Sequence, residues 1–189
     1  ELLKQIGVNF ETLLLRETPR RAADVDETPL SGETPADYAC RIARSKAETA
    51  WQRLTRRKLP LLPVLTADTV VTLEGRIFGK PENPVRAEEM LAALSGKTHQ
   101  VLTAIAVSAP DKIEVRLSTT SVRFRDISEH EIRIYLADGE ARDKAGAYAI
   151  QGMAAVFIAE ISGSYSGVMG LPLFETAQLL EEFGIEIFP

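Results

Sequence analysis

A single acid stands inside an apolar run. Leu65-Thr66-Ala67-Asp68-Thr69-Val70-Val71-Thr72 lies between Pro60 and Pro63 on one side and the turn pair Glu74-Gly75 on the other. A short run of this kind, bounded by such breakers, reads as a strand of a buried sheet. A carboxylate there must give up water, so Asp68 has to be paired, hydrogen-bonded, metal-bound or raised in pKa. Those are the surroundings of a general base or a metal ligand. A strand-end Asp that caps a turn fits the same stretch, and the stretch by itself does not separate the two.

Composition narrows the partners. With 189 residues, 45% hydrophobic and 26% charged, the chain can build one good core or two small lobes. Its net charge of -5 provides no overall basic field for nucleic acid or anionic lipid, so an anionic substrate would need a local positive pocket. The one basic cluster, Arg53, Arg56, Arg57 and Lys58, falls at a helix end, where it complements the dipole. There is no basic stripe with interleaved aromatics, so a nucleic-acid partner is not expected. No apolar run reaches the length of about 18 residues that a membrane span needs. The single cysteine, Cys40, excludes an internal disulfide framework and reads as a small buried residue of a helix. Together with the absence of a signal-peptide pattern it sets the expectation of a cytoplasmic protein. Only His99 and His130 are present, which argues against a multi-histidine zinc site.

Along the chain, strands and helices alternate. Glu1 to Ile6 is the end of a helix stopped by Gly7, Val8 to Leu15 a strand, and Arg16 to Gly32 a polar loop. Thr34-Pro35-Ala36-Asp37 opens a helix to about Arg57: Thr as N-cap, Pro at the first helical position, an acid in the first turn. Tyr38, Ile42 and Lys46 share one stripe of that helix. Lys46 there can snorkel at the edge of the core or deliver its ammonium to a cleft. Glu74-Gly75 turns the Asp68 strand into Arg76-Ile77-Phe78, and Pro81 keeps Lys80 extended. Asn83-Pro84 opens a second helix, ended at Gly96. Thr98 to Ser108 and Ile113 to Phe124, joined through Pro110-Asp111, are expected to pair antiparallel. Ser128-Glu129-His130-Glu131 is a capping box opening a third helix to about Ala137, with His130 on its surface. Asp138 to Gly152 reads as an ordered loop and Ala154 to Ile161 as a strand. Ser162 to Gly167 is a glycine-rich loop: a turn, or backbone N–H groups facing an anion. A last helix opens at Leu171-Pro172 and ends at Gly184, before a short strand Ile185 to Phe188. The pattern gives an α/β fold: a mixed central sheet flanked by helices, over residues 1–189 as a single domain.

The polar loops carry a resemblance. Ala67-Asp68-Thr69, Gly79-Lys80-Pro81 and Ser95-Gly96-x-Thr98-His99-x-Val101-x-Thr103 occur in order. Asp143-Lys144-Ala145-Gly146-Ala147-Tyr148-x-Ile150-Gln151-Gly152 and Gly163-Ser164-Tyr165-x-x-Val168-x-Gly170-Leu171-Pro172 follow. Asp26-Glu27 and Ala43-Arg44-x-Lys46-Ala47 precede them. Taken together they resemble the Maf family of nucleoside triphosphate pyrophosphatases over nearly the whole chain. The resemblance implies two lobes around a deep cleft, as in inosine-triphosphate pyrophosphatases. It also implies hydrolysis of a nucleoside triphosphate to monophosphate and pyrophosphate, a divalent metal (Mg or Mn) and a homodimer. It assigns Asp68 as proton acceptor, Lys46 and Lys80 to the phosphates, Glu27 with Asp68 to the metal, and Thr69 and Gln151 to base choice. Ala67-Asp68-Thr69 with Ile150-Gln151-Gly152 resembles the dTTP and UTP branch, whereas the methylguanosine-triphosphate branch reads Ser-Asp-Gln and Ser-Glu-Gly. Two other functions stay open: cleavage of modified purine triphosphates, and a non-catalytic role in septum formation, with which the family is associated.

Relatives open with a strand and a Ser-x-Ser-Pro-Arg-Arg loop that grips the triphosphate, ahead of a helix reading Glu-Leu-Leu. This chain begins at Glu1-Leu2-Leu3, so the strand and loop are absent from it: either they precede it in a longer chain or the chain is shortened and lacks them. Thr18-Pro19-Arg20-Arg21 imitates the loop but follows the first expected strand, and reads as part of an insertion between Phe10 and Asp26.

The residue types suit phosphoanhydride hydrolysis. Lysine ammoniums are movable point charges for phosphate oxygens, and magnesium takes one or two carboxylates plus substrate oxygens and waters. An Asp base, with an ordinary pKa of about 3.9, would work by desolvation. Gln151 presents both a donor and an acceptor, which matches the mixed O and N–H edge of uracil or thymine. It can equally serve only to hold its loop together.

Overall fold

The computed structural model describes residues 1–15 and 24–188. Five strands form one sheet in the order β2-β1-β3-β4-β5. They are β1 (Val64–Leu73), β2 (Arg76–Phe78), β3 (Thr98–Ala109), β4 (Lys112–Phe124) and β5 (Ile158–Ser162). β1 pairs antiparallel with β2, and β4 with β5. The β1–β2 turn is two residues long, and both Glu74 and Gly75 have positive φ, 53° and 79°. That backbone matches the twist of the flanking strands, and glycine takes the second position without penalty. Helices flank the sheet: α1 (Leu2–Gln5), α2 (Pro35–Arg57), α3 (Pro84–Leu94), α4 (Glu129–Asp138), α5 (Tyr165–Val168) and α6 (Leu173–Glu181).

The chain falls into two compact units. The first holds Glu1–Asp68, Thr103–Leu117 and Leu171–Pro189. Its α2 starts as the sequence dictates: Thr34 accepts a hydrogen bond from the Asp37 N–H, with Pro35 behind it. The buried face of α2 carries Tyr38, Ala39, Ile42, Ala43, Ala47 and Ala50. Four alanines let β1 approach closely, and Thr66 Oγ1 donates to the Ala43 carbonyl at 2.7 Å. Ile105 and Val107 pack with Leu179 and Leu180 of α6, joined by Leu3, Val8, Leu65 and Ala67.

The second unit holds Thr69–Leu102 and Ser118–Gly170. Its core gathers Leu91 and Leu94 of α3, Ile132 and Tyr135 of α4, and the aromatics Phe124, Tyr148 and Phe157. His99 lies buried among them, its Nε2 2.9 Å from the Tyr148 hydroxyl and its ring edge-on to Phe124. Burial pushes its pKa down to about 4. The capping box of α4 is complete: Glu131 N–H donates to Ser128 Oγ, and the Ser128 N–H donates to the Glu131 carboxylate. His130 is exposed in that first turn.

Five expectations change. Val8–Leu15 is irregular rather than a strand, and Ile185–Phe188 is too. Neither has a ladder neighbour among the described residues; Val8, Ile185 and Ile187 simply pack on the first unit's core. Alternation that suits a strand also suits an irregular segment burying every second side chain. The expected strand Ala154–Ile161 begins instead as a 3₁₀ segment, Met153–Phe157, which buries Ala154 and Phe157 three apart; only Ile158–Ser162 is extended. The loop Ser162 to Gly167 runs into the short helix α5, N-capped by Ser164. Cys40 is half-buried, and burial raises its thiol pKa. Thr18-Pro19-Arg20-Arg21 lies outside the described residues.

Candidate active site

The stripe of α2 read from the sequence delivers its lysine to two acids. Lys46 Nζ lies 2.7 Å from Asp68 Oδ1 and 2.9 Å from Glu27 Oε1. The three side chains differ in exposure: 12% for Asp68, 21% for Lys46 and 49% for Glu27. Asp68 is thus the desolvated member and is satisfied by charge pairing, not by capping a turn. Burial works against the Lys46 ammonium, but the Asp68 charge and hydrogen bond, followed by those of Glu27, outweigh it and hold its pKa above the ordinary value. The site therefore keeps one firm cation between two carboxylates, all within the first unit.

Tyr38, two turns earlier on the same stripe, completes this cluster. Its hydroxyl donates to the Glu27 carbonyl at 2.9 Å. Burial raises its pKa, and the negative charges of Asp68 and Glu27 push it further the same way. Sequence reasoning placed Tyr38 on the stripe without giving it a part in the site. The available signal was its position eight residues before Lys46.

The other expected residues belong to the second unit. Thr69 is half-buried, and a Cβ on Gly170 would stand 3.7 Å from its Oγ1. Lys80 is exposed just after β2. Gln151 is exposed on the turn after the 3₁₀ segment Ala145–Ala147. One backbone bond ties their two loops: the Gly146 N–H donates to the Gly79 carbonyl at 3.1 Å. Gly146 has φ of 68°, and a Cβ there would meet Val71 at 2.9 Å, so only glycine fits.

Among the described residues no group of three or more His, Cys, Asp or Glu could hold a metal by itself. Glu27 and Asp68, meeting at one point, fit a hard cation that takes two carboxylates and completes its shell with phosphate oxygens and water. They do not fit a structural zinc site. No helix among the described residues is long and apolar enough to cross a membrane.

A family model described as Maf-like protein matches residues 1–183. The chain belongs to the Maf-like protein family. Among its relatives, a protein of Nitrosomonas europaea named dTTP/UTP pyrophosphatase is 63% identical over 188 residues, covering 100% of this chain and 91% of that protein. One of Nitrosospira multiformis with the same name is 65% identical over the same shares. One of Aromatoleum aromaticum, again with that name, is 56% identical over 185 residues, 97% of this chain and 90% of its own length. The Maf-like match spans both units, so it takes in Glu27, Lys46 and Asp68 together with Thr69, Lys80 and Gln151.

Proposed function

We propose that this chain hydrolyses dTTP and UTP to the monophosphate and pyrophosphate. The observation that carries this reading is the Lys46 ammonium clasped between Asp68 and Glu27, in a family whose close relatives bear the name dTTP/UTP pyrophosphatase. A triphosphate needs counter-charge, a water aimed and deprotonated, and relief of charge on the leaving pyrophosphate. Lys46 supplies a fixed positive charge beside the base. Asp68, on a rigid strand and largely out of water, accepts the proton of the attacking water at its carboxylate. A Mg or Mn ion held by Glu27 and Asp68 would neutralise charge on the phosphate oxygens. Glu27, the exposed carboxylate of the pair, is the one able to turn from Lys46 toward a cation arriving with substrate. Lys80 is assigned to the phosphates, and Thr69 and Gln151 to the choice of base, by the family resemblance.

Asp68→Asn tests the assignment. It keeps the shape of the side chain and removes the base, so UTP turnover is expected to fall at least about a hundredfold. The thermal midpoint should stay near that of the parent chain, showing that the fold survives. Retention of most of the activity by the variant would remove Asp68 from this role.

A further inference from the structure

Glu27 sits on a segment with no regular secondary structure, half exposed, with Leu30 beside it turned to solvent. Every residue from Asp26 to Gly32 is exposed, and the Glu27 carboxylate lies 2.9 Å from Lys46 Nζ. The polar contacts explain this. Three consecutive carbonyls accept hydrogen bonds from α2 side chains: Asp26 from Arg41 Nη1 at 3.4 Å, Glu27 from the Tyr38 hydroxyl at 2.9 Å, and Thr28 from Arg41 Nη2 at 3.1 Å. The Thr28 N–H donates to Asp26 Oδ1 at 2.9 Å, closing a tight turn around Glu27. At the far end of the segment Glu33 takes the Arg41 fork bidentately, 2.6 Å from Nε and 2.8 Å from Nη2. Glu33 Oε2 also accepts from the Leu30 N–H at 3.1 Å.

From this geometry we infer that Arg41 is a positioning residue for Glu27. One guanidinium ties both ends of the Asp26–Glu33 segment to α2, the helix that delivers Lys46. The inference rests on the reading of Glu27 as a working carboxylate of the site. The planar fork matters, because its separate N–H groups reach a carboxylate and two carbonyls at once; a lysine ammonium has the charge without that span. Its hydrogen bonds go to Glu33 and to the Asp26 and Thr28 carbonyls, so it acts through the segment.

A double-mutant cycle tests it. Arg41→Ala is expected to lower kcat for UTP by about 10- to 100-fold, the scale of a misplaced catalytic group, with a smaller change in KM. Arg41→Lys should recover little of this. In a Glu27→Gln background the same Arg41→Ala change should cost less than about twofold, because the group it positions is already gone. Additive losses across the cycle, or full rescue by lysine, would overturn the inference. Amide exchange read without nucleotide gives a second measure. In Arg41→Ala the Thr28 and Leu30 amides should exchange faster while the interior of α2 keeps its protection. Unchanged exchange at Thr28 and Leu30 would overturn the positioning role. An unreactive parent chain would instead remove the proposed activity and leave exchange to decide the role of Arg41.

Discussion

The decisive contacts belong to three side chains, one ammonium between two carboxylates. Asp68 was legible as an unusual acid because seven largely apolar or β-branched neighbours surround it. Its partner was legible only as a position, since Lys46 on the Tyr38 stripe allowed either a snorkelling lysine or a delivered ammonium. The structure brings its ammonium to 2.7 Å from Asp68. Arg41 and Glu33 were not legible at all, because a charged pair eight residues apart, one just before the N-cap of α2 and one inside it, has no periodic signature. Gln151 has one donor and one acceptor end, and an amide that meets a pyrimidine edge leaves that edge unpaired when replaced. Gln151→Glu is expected to lower kcat/KM for UTP and dTTP at least tenfold more than for GTP or ATP, about what one mispaired buried polar contact supplies. Steady-state kinetics on the four nucleotides reads this directly, and an equal loss on all of them would return Gln151 to a role in holding its loop.

Among the elements, those with caps were read most closely. Thr34-Pro35, Asn83-Pro84 and the Ser128 capping box each start a helix where the sequence places it. The β3–β4 hairpin and the β1–β2 turn follow from β-branched runs around Pro110-Asp111 and Glu74-Gly75. Segments without caps or ladder neighbours were misread, as at Val8–Leu15, Met153–Phe157 and Ile185–Phe188. There, local pattern and tertiary packing carry the same signal. β3 also brings His99 into the second unit's aromatic cluster, with a consequence for stability. The unfolded chain takes up the imidazole proton near the ordinary pKa of 6.5, whereas the folded chain does so only near 4. The stabilisation from neutral His99 is therefore present above about 6.5 and is lost as pH falls toward 4. Between pH 7 and pH 4.5 the parent chain should lose about 2 to 3 kcal/mol more than a His99→Gln variant, by urea unfolding. Equal losses in the two chains would show that His99 is not held neutral.

At the scale of the whole molecule, the residues singled out in the sequence are divided between the two units. The first holds Lys46 between Asp68 and Glu27, on α2, β1 and the segment that Arg41 hydrogen-bonds. The second holds Thr69, Lys80 and Gln151, the latter two on loops joined by the Gly146–Gly79 bond. With a net charge of -5, positive charge for an anionic substrate has to be supplied locally. The most direct measurement is pyrophosphate release from a panel of nucleoside triphosphates, with magnesium and with a chelator. It is made on this chain and on one extended at its N-terminus by a Ser-x-Ser-Pro-Arg-Arg segment. Release from UTP and dTTP ahead of the purine nucleotides, with the monophosphate as co-product and abolition by the chelator, is the expected result. No release from any nucleotide by either chain would contradict the hydrolase reading and leave the Lys46, Asp68 and Glu27 cluster as a feature of the fold.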